Sequence, residues 1–241
     1  MRVAASQDTL ALFDLDGTLL SAADEVHHAA FDHALRATFG VDASVSGIDK
    51  AAALDRVLAL SAAVAAGVDP ARAEAGLPAV MATMGRYYRL RVGPGARTER
   101  VLPGVVELLR RLKATGVSVA VATGSARAVA EAKLRAADLD GYFPIGAFGD
   151  EVDSRAELLR RALHVAGETY GRRFLSANAV VIGDSPGDIH AAREIGARVV
   201  AVATGRFSSR QLDEHGPDFT FPHLDSPDAV IRALRGEVGR A

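Results

Sequence analysis

Four short apolar runs punctuate the chain: Leu10–Phe13, Val117–Ala122, Ala179–Ile182 and Arg198–Ala203. Each is followed within two residues by Gly or Asp and lacks polar alternation, the pattern of strands buried on both faces of a parallel sheet. Between them the apolar spacing changes to that of helices. Gly104–Thr115 places Val105, Leu108, Leu109 and Leu112 on one face and stops at Gly116. Arg127–Ala137, Arg155–Ala166 and Asp188–Ile195 follow the same period. Strand alternating with helix predicts a doubly wound α/β domain.

The first strand is separated from the second by about a hundred residues, far more than one crossover needs. That interval is rich in Ala, with helical stretches at Ala22–Phe39, Ala51–Ala66 and Pro78–Leu90. Breaks fall at Gly40, Gly67–Pro70 and Gly93–Gly95. The expected division is an α/β core of residues 1–19 and 101–241, with an all-helical insertion over 20–100. No internal repeat is visible, and the end from about Glu214 reads as loosely structured.

Composition narrows the function classes. Of 241 residues, 49% are apolar and 24% charged, which excludes a disordered chain or a collagen-like repeat. The absence of cysteine rules out disulfides, thiolate metal sites and a Cys nucleophile. A net charge of -2 offers no basic field for nucleic acid, and 9 Phe with 4 Tyr and no Trp supply few stacking platforms. No apolar stretch approaches the roughly 20 residues that cross a bilayer. The first ten residues lack the apolar core of a secretory signal, so the expected location is the cytoplasm. The sequence leaves the oligomeric state open.

Three loops follow predicted strands and should converge, because ligands of open parallel sheets bind beyond the carboxyl ends of the strands. The first is Asp14-Leu15-Asp16-Gly17-Thr18, where alternate side chains on extended backbone put Asp14 and Asp16 on one face. The second, Thr123-Gly124-Ser125, offers a hydroxyl and backbone N–H groups as a phosphate cradle. The third is Gly183-Asp184-Ser185-Pro186-Gly187-Asp188. Asp14, Asp16 and Asp184 brought together would repel one another unless a hard cation joined them, and an all-oxygen donor set suits Mg²⁺. A carboxylate nucleophile, a neighbouring acid, a metal and a phosphate cradle point to phosphoryl transfer through an aspartyl-phosphate.

With these motifs the sequence resembles the haloacid dehalogenase superfamily from Leu10 to about Leu224. The finer pattern resembles its phosphoglycolate-phosphatase-like subgroup. It comprises Leu102-Pro103-Gly104-Val105, Lys133-Leu134, Gly146-Ala147-Phe148-Gly149-Asp150 with Arg155, Val202-Ala203-Thr204-Gly205, and Asp218. The resemblance implies a Rossmann-like parallel core with an inserted helical cap, and Mg²⁺-dependent hydrolysis of a small phosphorylated metabolite, phosphoglycolate first. It implies that Asp14 attacks phosphorus and binds metal. Asp16 would protonate the leaving alcohol, activate water and lend its backbone carbonyl to the metal. Thr123 and the Gly124 amide would hold phosphate oxygens, Asp184 would ligate Mg²⁺, and Asp188 would support the metal shell.

The third motif departs from the commoner Lys: Arg155 stands in that place, and an arginine can bind phosphate in bidentate fashion. Lys133 is the rival, but it lies on a helix leading away from the strand ends, which puts it on the order of 10 Å or more from the phosphate. The expectation therefore favours Arg155, with Lys133 structural. Plainer roles stand beside the sharper ones. Thr123 and Asp188 could serve only as helix caps, and Arg155 could be a solvated side chain. Adjacent His27 and His28 cannot face one point together and read as helix-surface residues, or one of them faces the substrate. Lys50 and Arg56 could read an anionic substrate tail or be solvated, and Tyr87, Tyr88 and Arg89 read as packing in the insertion. A sugar phosphomutase would share all four motifs. A phosphonate hydrolase would need a Lys in the cap, where only Lys50 stands, and dehalogenation has no use for Asp16. A binding module would need neither Asp14 nor Asp16.

Overall fold

The computed structural model describes residues 9–45 and 53–237. Six parallel strands form one sheet: β1 (Leu10–Phe13), β2 (Ser118–Thr123), β3 (Gly146–Phe148), β4 (Ala179–Gly183), β5 (Arg198–Val202) and β6 (Phe219–Phe221). Their order across the sheet is β3-β2-β1-β4-β5-β6, so β1 is central and the connections wind outward in both directions. This is a Rossmann-like α/β fold.

The period of two in β1 explains the layering. Ala11 and Phe13 point to one face, where α4 (Val105–Thr115) and α9 (Pro227–Arg235) pack. Leu10 and Leu12 point to the other, against α6 (Arg155–Tyr170) and α7 (Pro186–Ile195). Helix α5 (Arg127–Ala136) serves two layers. Its Ala130 and Leu134 face the sheet, while Val129, Ala132 and Ala136 join a separate apolar cluster.

That second cluster belongs to α1 (Glu25–Phe39), α2 (Asp55–Ala65) and α3 (Pro70–Arg91), which lie between β1 and β2 in the chain. Two chain segments join these helices to the sheet and run beside each other. Leu20 and Val101 form an antiparallel bridge, and the Ser21 N–H donates to the Arg100 carbonyl at 2.8 Å. Helix α3 also approaches α5 closely at Gly85, where a Cβ would stand 2.3 Å from the Ala128 Cβ.

Two expectations need correction, and two strands lie outside the apolar runs singled out by sequence. The helix expected to start at Pro78 starts at Pro70, capped by the Asp69 side chain, and carries Pro78 in its interior. Proline is preorganised for a first turn, so Pro70 and Pro78 compete for that position by sequence alone. Between Glu214 and Glu237 the chain is not loose: it holds β6 and α9, whose Val230, Ile231, Ala233 and Leu234 are buried. Strands β3 and β6 have 3 residues each, too short for a periodic signal. Among the described residues no helix is long and apolar enough to cross a membrane.

Candidate active site

The strand register places the three loops. Phe13 pairs with Val121 on one side and Ile182 on the other, so the residues after β1, β2 and β4 emerge at the same edge. The Asp14 N–H extends this ladder by donating to the Ile182 carbonyl at 2.9 Å. After Asp16 the chain folds back: Gly17 donates to the Leu20 carbonyl at 2.7 Å, and Leu19 and Leu20 donate to that of Leu15 at 2.9 Å. Gly17 sits at φ +90°, a conformation that favours glycine. A Cβ there would lie 2.3 Å from Asp184 Oδ2. The Thr204 hydroxyl, on the loop after β5, clamps the turn by donating to the Gly17 carbonyl at 2.5 Å.

Asp14, Asp184 and Asp188 are buried, and a carboxylate oxygen from each lies within 4.8 Å of the others. Arg155, in the first turn of α6, enters the same cluster: its Nη2 is 3.2 Å from Asp14 Oδ1 and 2.7 Å from Asp188 Oδ1. Asp188 also caps α7, accepting from the Ser185 N–H at 3.1 Å and the Ser185 hydroxyl at 2.6 Å. Asp188 thus combines a capping position with a place in the carboxylate cluster. Thr123 is buried at the end of β2, and its Oγ1 accepts from the Ser125 N–H at 3.2 Å. Gly124 follows at the cavity wall.

The electrostatics of the cluster suit a bound cation. Burial pushes the Asp14 carboxyl up to about 7, helped by Asp188 and Asp16 and opposed by Arg155. Burial likewise pushes Asp184 up to about 8, with Asp14 and Asp188 adding repulsion. Three clustered carboxylates facing one guanidinium are short of positive charge, and a hard divalent ion with oxygen ligands fits that set. Both carboxyls titrate higher in the folded protein than the roughly 4 of an unfolded Asp. Between about pH 4 and 8 the folded state therefore binds more protons, and these groups make stability fall as pH rises. Melting curves in EDTA should move to lower temperature across that window. The increment produced by a divalent ion should grow with pH, and a pH-independent increment would contradict this account.

Asp16 is different. Burial alone would raise its carboxyl, but Lys133 and His27 outweigh it and hold it below the usual range. Lys133 Nζ lies 2.6 Å from Asp16 Oδ2, which corrects the expectation that this lysine is remote. Side chains on a helix lean toward its N-terminus, so a long one two turns into α5 reaches back to the strand ends. His27 is likewise buried rather than on the helix surface, with Nδ1 2.9 Å from Lys133 Nζ and Nε2 2.9 Å from Asp55 Oδ2. His28 is exposed but lines the same cavity.

Ser125, expected above only as part of the phosphate cradle, belongs here together with two residues not singled out by sequence, Asp55 and Asp24. Ser125 donates to Asp16 Oδ2 at 3.1 Å, and Asp55 accepts from the Ala126 N–H at 2.8 Å. Asp24, an N-cap of α1, receives Arg100 Nη1 at 2.6 Å and the Tyr88 hydroxyl at 3.0 Å. A cap residue is legible in sequence; that it is buried beside the site is not. Arg56 lies elsewhere, held by Asp153 at 2.6 Å and by Glu74. Lys50 lies outside the described residues. The cavity of about 450 Å³ is lined on the helical side by His27, Phe31 and Leu58, and from the loop after β5 by Arg206 and Phe207.

Comparison with known proteins bears on this geometry. The family model described as haloacid dehalogenase-like hydrolase matches residues 9–196. A phosphoglycolate phosphatase of Thiobacillus denitrificans is 30% identical over 220 residues, covering 88% of this chain and 91% of that protein. One from Nitrosospira multiformis is 33% identical over 133 residues, covering 55% of this chain and 57% of that protein. Among solved structures, a predicted phosphatase from Clostridium acetobutylicum superposes with a TM-score of 0.66 at 22% identity, covering 94% of this chain and 100% of that one. A β-phosphoglucomutase from Clostridium difficile gives 0.64 at 16%, covering 95% and 97%. These two likenesses concern the fold.

Proposed function

Because the chain belongs to the haloacid dehalogenase-like hydrolase family, we propose that it is a Mg²⁺-dependent phosphatase. Its substrate would be a small phosphate monoester, and its intermediate an aspartyl-phosphate on Asp14. The observation that carries this reading is the buried set of Asp14, Asp184 and Asp188 at one strand edge, with Asp16 beside it as a second, differently tuned carboxylate.

Asp14, Asp184 and the backbone carbonyl of Asp16 are the groups suited to hold Mg²⁺. Both Asp188 oxygens are already engaged by Arg155 and Ser185, which favours a supporting role for it. When bound, the ion neutralises carboxylate and phosphate charge. Thr123, the Gly124 amide and Arg155 orient the phosphoryl group. A carboxylate oxygen of Asp14 attacks phosphorus and the bond to the leaving oxygen breaks; Asp16, an ionised carboxylate at rest, takes up a proton before this step and passes it to that oxygen. Water then attacks the aspartyl-phosphate, giving its proton to Asp16 and releasing inorganic phosphate and free Asp14. Helices α1–α3 act as a cap over the cavity and exclude water from the first step.

The test is phosphate release from a panel of small phosphate esters, phosphoglycolate first, with Mg²⁺ and with EDTA. Release that requires the metal supports the reading, and the ranking of esters names the substrate. A folded protein that releases phosphate from none of them overturns it. Conversion of one sugar phosphate into its isomer without release would move the assignment to a mutase.

A further inference from the structure

Lys133 is 1% exposed, yet the chemistry just described leaves it unused. An ammonium group has three protons to place. Here they meet Asp16 Oδ2 at 2.6 Å, His27 Nδ1 at 2.9 Å and Ser125 Oγ at 3.4 Å, with Asp24 Oδ2 at 3.8 Å. With Lys133 donating into Nδ1, the ring proton of His27 sits on Nε2 and is donated to Asp55.

The partners come from different parts of the fold. Asp24 and His27 open α1, and Asp55 opens α2. Asp24 is tied to Arg100, which also donates to the Ser21 carbonyl at 2.5 Å, so it spans the two segments joining the helical layer to the sheet. Asp55 grips the loop after β2 twice: it accepts from the Ala126 N–H, and its own N–H donates to the Gly124 carbonyl at 2.8 Å. Lys133 is therefore the point where the seating of α1 and α2 meets a catalytic carboxylate.

On Asp16 the two oxygens differ. Oδ2 accepts from Lys133 and Ser125, whereas Oδ1 is buried without a hydrogen-bond partner. Turning the carboxylate would break a short charge-assisted bond, so the clamp fixes which oxygen is left to carry the proton handed to the leaving oxygen.

We infer that Lys133 is a positioning residue that sets the aim of Asp16 and ties that aim to the seating of helices α1 and α2. The inference rests on the proposed phosphatase chemistry, in which Asp16 protonates the leaving oxygen. It predicts a selective defect: an alkoxide needs that proton, whereas p-nitrophenolate leaves as a stable anion.

The experiment compares kcat/KM for an alkyl ester of the panel, phosphoglycolate first, with that for p-nitrophenyl phosphate. This parameter covers steps through release of the alcohol, so it does not report the later attack of water. Lys133→Met should lower the alkyl value by about 100-fold and the nitrophenyl value by less than about 5-fold, within the range of a lost general acid. His27→Gln, which removes a partner of Lys133 while keeping the lysine, should show the same selectivity at about 10-fold, and it decides the matter if Lys133→Met does not fold. Equal losses on both esters, or no loss on either, would overturn the inference. If wild type hydrolyses neither ester, the phosphatase reading fails and takes the inference with it.

Discussion

Asp14→Asn is expected to abolish phosphate release while making the metal-free protein more stable. An amide cannot form the aspartyl-phosphate, and loss of a nucleophile typically costs on the order of 10⁴-fold or more in turnover. The stability change follows from the same burial that makes the site reactive. Asp14 titrates at about 7 because it is buried and faces Asp188 and Asp16, so above that pH the folded protein carries an unfavourable charge. Each pKa unit is about 1.4 kcal/mol, which makes removal of this carboxylate worth on the order of a few kcal/mol at pH 8. Arg155 keeps a partner in Asp188, so the substitution does not strand it. In a protein of this size a gain of that order raises the melting temperature by several degrees. The check is a pair of measurements at pH 8: turnover with Mg²⁺, and melting in EDTA. A stable variant that retains turnover would remove Asp14 from the chemistry. A variant that melts lower than wild type would show that Asp14 is held there by favourable contacts rather than against repulsion.

How far such a site could be read from sequence depended on what carried the information. Asp14, Asp16, Thr123 and Asp184 were legible because strand ends of a parallel sheet share an edge, and the β1 pairing puts them there; Arg155, in the first turn of α6, was legible only through the family resemblance. The bounds of β1 coincide with its apolar run, since a central strand buried on both faces has no polar residue to blur it. Strands β3 and β6 offered only three residues each, and their place comes from tertiary pairing with β2 and β5. The amphipathic pattern of α9 was present in Val230, Ile231 and Leu234, but its short length hid it. Lys133 and His27 were misplaced for another reason. Rise per residue locates a Cα, whereas a lysine delivers its charge several bonds away and back toward the helix start. The ion-pair network that joins Asp24, Lys133 and Arg100 has no sequence pattern, because its members are far apart in the chain and meet only through packing.

Gly17→Ala separates two costs that usually arrive together. At φ +90° any Cβ is strained, by roughly 1–2 kcal/mol. Gly40, which ends α1 at φ +75°, would pay a similar cost, but a Cβ there meets nothing within 4 Å. The Gly40→Ala variant should therefore lose only about 1 kcal/mol of stability and keep its turnover. At Gly17 the added carbon would stand 2.3 Å from Asp184 Oδ2 and 2.5 Å from its Cγ, so the carboxylate must move or the loop must open. Neither is cheap. The Asp184 side chain packs just as tightly against Gly205, where a Cβ would lie 1.7 Å from the same oxygen, and the turn is clamped by Thr204. The expected result is a folded protein with turnover reduced by about 100-fold or more, the scale on which a misplacement of about 1 Å acts in an active site. Divalent-ion affinity, read from the shift in melting temperature as the ion is titrated, should fall with it. Equal behaviour of the Gly17 and Gly40 variants would mean that backbone strain alone matters at the turn. It would also mean that the closeness of Gly17 to Asp184 has no part in divalent-ion affinity.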